Sequence, residues 1–183
     1  MSYFLDPIKP QDVTVVTSDI LVATADGSDP LLHGSVQKAL RALRSILRLN
    51  AVFVAEVIDR RKVTRMLDRD DVFELAIGDA VALEDTYCRL VLEGRLPEYI
   101  PDVDRLAATL PQEFLPAGPH QAGVVAHLST PITLPDGRVY GTLCCIGNQS
   151  LDGDGALALH QLRQCAQFVA KALAAQAEGA AAP

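Results

Sequence analysis

The stretch Val124–Ile146, VVAHLSTPITLPDGRVYGTLCCI, says most about the fold. Two extended apolar runs, Val124–Ile132 and Arg138–Ile146, flank Pro135-Asp136-Gly137. Proline presets the φ of a turn, aspartate bonds its own backbone two residues on, and glycine takes positive φ without steric cost. The stretch therefore reads as an antiparallel hairpin. On the return strand Tyr140, Thr142 and Cys144 share one face, and Val139, Gly141, Leu143 and Cys145 take the other. Gly141 marks a close approach by a helix or a neighbouring chain.

Upstream, Ala51–Ile58 (AVFVAEVI) is rich in β-branched residues and apolar on both faces, as a central strand is. Asp59-Arg60-Arg61 turns the chain, and Lys62–Leu67 alternates as a hairpin partner should. Val72–Ile77 reads as a third strand ending at Gly78-Asp79. From Leu31 to Leu49 the period is helical: Val36, Leu40, Leu43 and Leu47 form a stripe that Ala39, Ala42 and Ile46 widen, and Asn50 is the expected stop. A short helix follows Leu83–Cys88 and runs to about Glu93, with Asp85 or Thr86 as its cap and Gly94 as its end. Tyr99–Val103 is a short extended piece, and residues 104–121 are a helix fragment plus a loop holding Pro111, Pro116, Gly118 and Pro119. After a loop with Asp152 and Asp154 as cap candidates, a helix from about Ala156 to Ala175 carries Leu159, Leu162, Ala166, Val169 and Leu173 as a heptad-like seam. This order gives an α+β or α/β domain with a mostly antiparallel sheet over 30–175. Residues 1–29 read as an irregular N-terminal arm and 176–183 as a frayed tail.

Composition narrows the function. The 183 residues suit one domain, and 49% hydrophobic residues are enough for a core. A formal charge of −7 argues against nucleic acid and against anionic membranes as partners. No apolar run is long enough to span a bilayer, and Met1–Asp6 lacks the basic and apolar regions of a signal peptide, so the expected compartment is the cytoplasm. Cys88, Cys144, Cys145 and Cys165 have neither CxxC nor zinc-site spacing and read as free thiols, the last three buried. No metal is expected: Asp152-Gly153-Asp154-Gly155 resembles a calcium loop only faintly, since residues 156–163 hold no glutamate. Nucleophile-elbow, P-loop and dinucleotide motifs are absent.

Three stretches together resemble the GAF domains, a fold that senses small molecules. They are the first helix running into AVFVAEVI, the pair Leu83–Arg89 (LEDTYCR) and Leu96–Val103 (LPEYIPDV), and His127–Ile132 through the turn to Tyr140–Cys145 (YGTLCC). The likeness covers roughly residues 30–175. It is strongest to a bacterial subgroup that occurs alone or joined to signalling output modules. The resemblance implies a central antiparallel sheet of about five or six strands. The N- and C-terminal helices would lie on one face, and a loop-helix insertion at about 79–121 would cover a pocket on the other. It also implies a homodimer through the terminal helices, with residues 36–47 and 159–173 as the seams; the plainer use of both stripes is to cover the sheet.

On this frame the candidate ligand-binding residues are Asp85, Tyr87, Cys88, Tyr140, Thr142 and Cys144. Cys88 lies in the first turn of a helix beside Arg89, a setting that favours a thiolate and hence a redox-sensing or modified thiol. Its alternative role is a small buried hydrophobe. Asp85 and Glu84 suit either a cationic ligand or helix capping, and His127 either a ligand or an ordinary core position. Free methionine sulfoxide reductases share the fold and use several pocket cysteines, but His127-Leu128-Ser129-Thr130 brings no second thiol. Covalent bilin attachment is disfavoured because Arg89, not histidine, follows Cys88. The Asn-Lys-Phe-Asp-Glu set used for cyclic nucleotides is not recognisable.

The expected function is a sensory or regulatory domain. It binds an unidentified small molecule or senses redox state, signals through a helical dimer interface, and acts on an output protein in trans. A small thiol enzyme using Cys88 and a purely structural dimerisation module are the alternatives. The residues name no cofactor.

Overall fold

A computed structural model describes residues 30–111 and 123–181. The expected N-terminal arm, the later part of the 104–121 loop and the last two residues lie outside the described residues.

Helix α1, Pro30–Leu47, buries the stripe read from its period, with Val36, Leu40 and Leu43 facing inward. It ends at Leu47, two residues short of the expected Leu49. Arg48 takes a left-handed φ of 54°, and the Leu49 amide donates to the Arg44 carbonyl at 3.2 Å. Asn50 instead makes tertiary bonds. Its amide nitrogen donates to Asp70 at 2.9 Å and its side-chain oxygen accepts from the Asn148 amide at 2.9 Å.

Six strands follow: β1 (Ala51–Ile58), β2 (Arg61–Arg69), β3 (Ala80–Ala82), β4 (Tyr99–Ile100), β5 (Ala126–Thr133) and β6 (Val139–Gly147). They form one sheet in the order β3-β2-β1-β6-β5-β4, with every neighbouring pair antiparallel. β1 is central, as its two apolar faces require. The 135–137 turn closes β5 onto β6 with Gly137 at φ 87° and the Arg138 amide donating to Asp136 at 3.0 Å. Gly141 is tight for a different reason from the one expected. The close neighbour is the Ala55 backbone of β1, whose carbonyl oxygen a Cβ would overlap.

The third strand is not Val72–Ile77. That segment is irregular, and β3 falls three residues later. Its backbone bonds go elsewhere: Leu75 N to Phe73 O at 3.1 Å, Ala76 N to the Asp79 carboxylate at 2.7 Å, and Leu75 O to the Arg69 side chain at 2.8 Å. Satisfied this way, the segment is free to turn Phe73 into the core.

The insertion between β3 and β5 holds a 3-10 turn at Leu83–Asp85, helix α2 (Tyr87–Leu92), β4 and helix α3 (Val103–Ala107). Of the two proposed caps, Thr86 serves, its hydroxyl accepting from the Arg89 amide at 3.4 Å. Asp102 caps α3. The final helix, α4, spans Ala156–Ala181, with the Ala156 amide donating to Asp154 at 3.0 Å. The helix thus continues through most of the tail expected to fray.

The sheet has two packed faces. Helices α1 and α4 touch each other and cover one, burying Leu40, Val54, Leu128, Leu143, Cys145, Leu162 and Val169. The insertion covers the other, burying Phe53, Phe73, Cys88, Leu90, Ile100 and Cys144. Among the described residues no helix is long and apolar enough to cross a membrane.

Candidate functional site

Two β-bulges decide which side chains face the insertion. Opposite β1, Val54 pairs with Met66 and Ala55 with Thr64, so Arg65 is the extra residue. The bulge resets the alternation. Lys62 and Thr64 look toward the insertion, while Met66 joins the helix-side core and Asp68 bonds Arg41 and Arg44 of α1. The second bulge lies between β5 and β6. Ile132 pairs with Gly141 and Thr133 with Val139, which leaves Tyr140 unpaired.

That second bulge separates the expected set. Thr142 and Cys144 remain on one face, with Cys144 in the insertion-side core, but Tyr140 packs among the helix-side residues instead of beside them. Its hydroxyl is buried without a hydrogen-bond partner, and burial, with Glu56 nearby, pushes its ionisation far above the usual tyrosine range. Asp85 sits half-buried in the 3-10 turn before α2.

Cys88 and Cys144, 56 residues apart, meet with their sulfurs at 3.1 Å, both with no exposed surface. Around them stand Lys62, whose Nζ is 3.6 Å from the Cys88 sulfur, and His127, whose Nε2 is 3.7 Å from it. Thr142 Oγ1 lies 3.0 Å from the Cys144 sulfur. Tyr87 stacks at a tilt on His127, ring centres 5.5 Å apart, and the Lys62 ammonium rests 5.0 Å above the Phe53 ring. Cys165, expected to be buried, is only partly so.

The thiols ionise unequally. The hydrogen bond from Cys144, together with the Lys62 charge and His127, holds Cys88 well below the ordinary thiol value despite its burial. Burial, with the anion on Cys88, pushes Cys144 well above it. Burial opposes the Lys62 ammonium, yet the two sulfurs raise its affinity for the proton overall. Cys144, Lys62 and His127 thus all favour the anionic form of Cys88, while Cys144 holds its own proton more tightly.

Above this cluster a cavity of about 600 Å³ opens between the β1–β2–β3 edge, the 72–75 segment and the insertion. Lys62, Thr64, Thr86 and His127 line it together with the acidic Glu74 and Asp79, and Phe53, Phe73 and Ile146 supply apolar wall. His127 is 3% exposed, and its Nδ1 has no partner. Neither Lys62 nor His127 was in the expected set. His127 alone among strand residues resembles any core histidine, and the facing of Lys62 depends on a bulge that the alternation does not announce. Among the described residues no group of three potential metal ligands comes together.

The GAF domain family model matches residues 32–180, and the chain belongs to that family. The fold is similar to the chromophore-binding domain of an unusual bacteriophytochrome from R. palustris (TM-score 0.61, 17% identity), covering 87% of this chain and 60% of that one. It is also similar to the GAF domain of the Acinetobacter phosphoenolpyruvate-protein phosphotransferase (0.61, 13% identity; 90% and 92% covered). A third similar structure is residues 122 to 287 of a methyl-accepting chemotaxis protein (0.64, 15% identity; 89% and 99% covered). At these identities the likeness is one of fold. No curated protein sequence matches the chain significantly.

Proposed function

We propose that this domain is a sensory or regulatory module that binds a small molecule in the cavity over Lys62 and His127 and signals through its terminal helices to a second copy. The carrying observation is the cavity itself, whose lining brings the cation of Lys62 and the ring of His127 together with the apolar Phe53 and Phe73. The cavity volume of about 600 Å³ is within the usual range for small-molecule sites. Its make-up suits an amphipathic metabolite, with polar atoms toward His127 and Lys62 and an apolar part against Phe53 and Phe73. A cytoplasmic setting and an output protein in trans go with this reading.

A thermal-shift screen of metabolites, with native mass spectrometry of protein purified from its own host, tests it. Binding to the folded state alone stabilises by about 2.7 kcal/mol at a hundredfold excess over Kd, a rise of several degrees. The expected result is one chemical class that raises the melting temperature, with the rise lost in His127→Ala. No retained molecule and no shift would favour a dimerisation module with a filled core.

A further inference from the structure

We propose that Cys88 and Cys144 form a reversible dithiol–disulfide pair, oxidised by a small hydroperoxide that arrives through the cavity. The inference extends the sensory reading by naming an input, but it rests on the thiols alone and holds whether or not the cavity also takes a metabolite.

Four observations support it. The two sulfurs stand at 3.1 Å, closer than ordinary packing contacts between carbon atoms, which lie at about 3.5–4.0 Å. A further approach of about 1 Å reaches disulfide bonding distance. The two sulfurs are chemically distinct, as an attacking and a resolving thiol must be. Cys88 has the Lys62 ammonium at 3.6 Å and His127 at 3.7 Å, whereas the contacts of the Cys144 sulfur among the described residues are the Thr142 hydroxyl and Cys88 itself. The groups facing Cys88 come from β2, β5 and β6, and from its own helix Tyr87 packs on His127. Finally, Lys62 and His127 both line the cavity and both touch the Cys88 sulfur, so a small polar oxidant in the cavity is within one side chain of it.

The chemistry balances. The Cys88 thiolate attacks one oxygen of the hydroperoxide, and the O–O bond breaks. The leaving oxygen departs as an alcohol, or as water from hydrogen peroxide, with one proton taken from the Lys62 ammonium, which regains it from solvent. Cys88 is then a sulfenic acid. The Cys144 sulfur attacks it, the S–O bond breaks, and hydroxide leaves with the Cys144 proton as water. Two thiols are oxidised by two electrons, and one peroxide is reduced. The product ties α2, which carries Cys88, covalently to β6. It also removes the anion beside Lys62, leaving the cavity floor more positive. A dithiol reductant restores the pair by exchange.

Intact-mass and non-reducing peptide mapping of the full chain, treated with stoichiometric hydrogen peroxide and then with dithiothreitol, is the test. The expected product lacks two hydrogens, maps to a Cys88–Cys144 crosslink and reverts on reduction. In Cys144→Ala the crosslink is absent and Cys88 carries a sulfenic acid that dimedone traps. In Lys62→Met crosslinking slows about tenfold, because the thiolate loses its cation. Oxidation confined to Cys165, or a Cys88 left unmodified in wild type, would overturn the proposal. So would crosslinking by methionine sulfoxide but not by peroxide, since the oxidant class would then be wrong. The wild-type map decides the matter even if a variant fails to fold.

Discussion

Cys88 illustrates how far one residue depends on its surroundings. By type it is a small apolar side chain, and it does pack as one, with no exposed surface. What changes its chemistry is the arrival of Cys144, Lys62 and His127 from three strands. Because its folded-state ionisation lies below that of the unfolded chain, Cys88 contributes stability that is fully present above the unfolded value of about 8.5. That contribution falls as pH drops toward the folded value. Urea unfolding of wild type and Cys88→Ser should therefore show a stability gap that widens from pH about 6 to about 8.5. A gap independent of pH would mean that Cys88 is protonated throughout. Of the residues expected to bind a ligand, none is among those that line the cavity; what simple alternation and a short helix made legible was that Thr142 and Cys144 share a face and that Cys88 lies in the first turn of a helix. The facing of Tyr140 was not legible, because one unpaired residue between β5 and β6 turns it to the opposite face.

At the scale of elements, β6 links the two halves of the molecule. Its alternate residues Cys144 and Leu143 belong to opposite cores, one under the insertion and one under the terminal helices. A shift of the strand on the cavity side is therefore felt directly by α1 and α4. The strand tolerates little: Gly141 sits against the Ala55 carbonyl of β1 with no room for a Cβ. Gly141→Ala should part the central β1–β6 pair and cost about 3 kcal/mol or more, at the upper end of overpacking penalties. Equilibrium urea unfolding measures this, and a loss under about 1 kcal/mol would show that the strand pair yields easily. The bulges are the other devices of this scale. Each adds one residue, and each reverses which side chains meet the cavity. The misplaced third strand has a similar origin. Val72–Ile77 has the apolar content of a strand, but Asp79 and Arg69 satisfy its backbone locally.

For the whole molecule, the terminal helices form one layer over the sheet and still keep apolar surface outside. Ile46 of α1 is 58% exposed and Phe168 of α4 is 41% exposed. Apolar residues that large on the outer side of the layer suit a second copy of the same layer. The double variant Ile46→Glu/Phe168→Glu should sediment as a monomer where the wild type sediments as a dimer, with its melting behaviour nearly unchanged, because neither side chain supports the core. A wild-type monomer would remove the dimer from the proposed mechanism. A dimer unaffected by the double variant would place its interface elsewhere. Signalling through such a layer requires that the cavity occupant or the thiol state favour one helix arrangement over another.

Periodicity and turn chemistry alone determined the helices at both ends, the central strand and the hairpin at 135–137, because these depend on neighbours a few residues apart. The class of domain followed from their order. Tertiary structure decided the rest. Cys88 and Cys144 are 56 residues apart, and Lys62 and His127 come from different strands. Strand order, the bulge at Arg65 and the placing of the Cys88 helix over the sheet bring them into contact. No local pattern encodes a bulge that local bonding and distant packing settle together, so the site became visible only when the sheet was assembled.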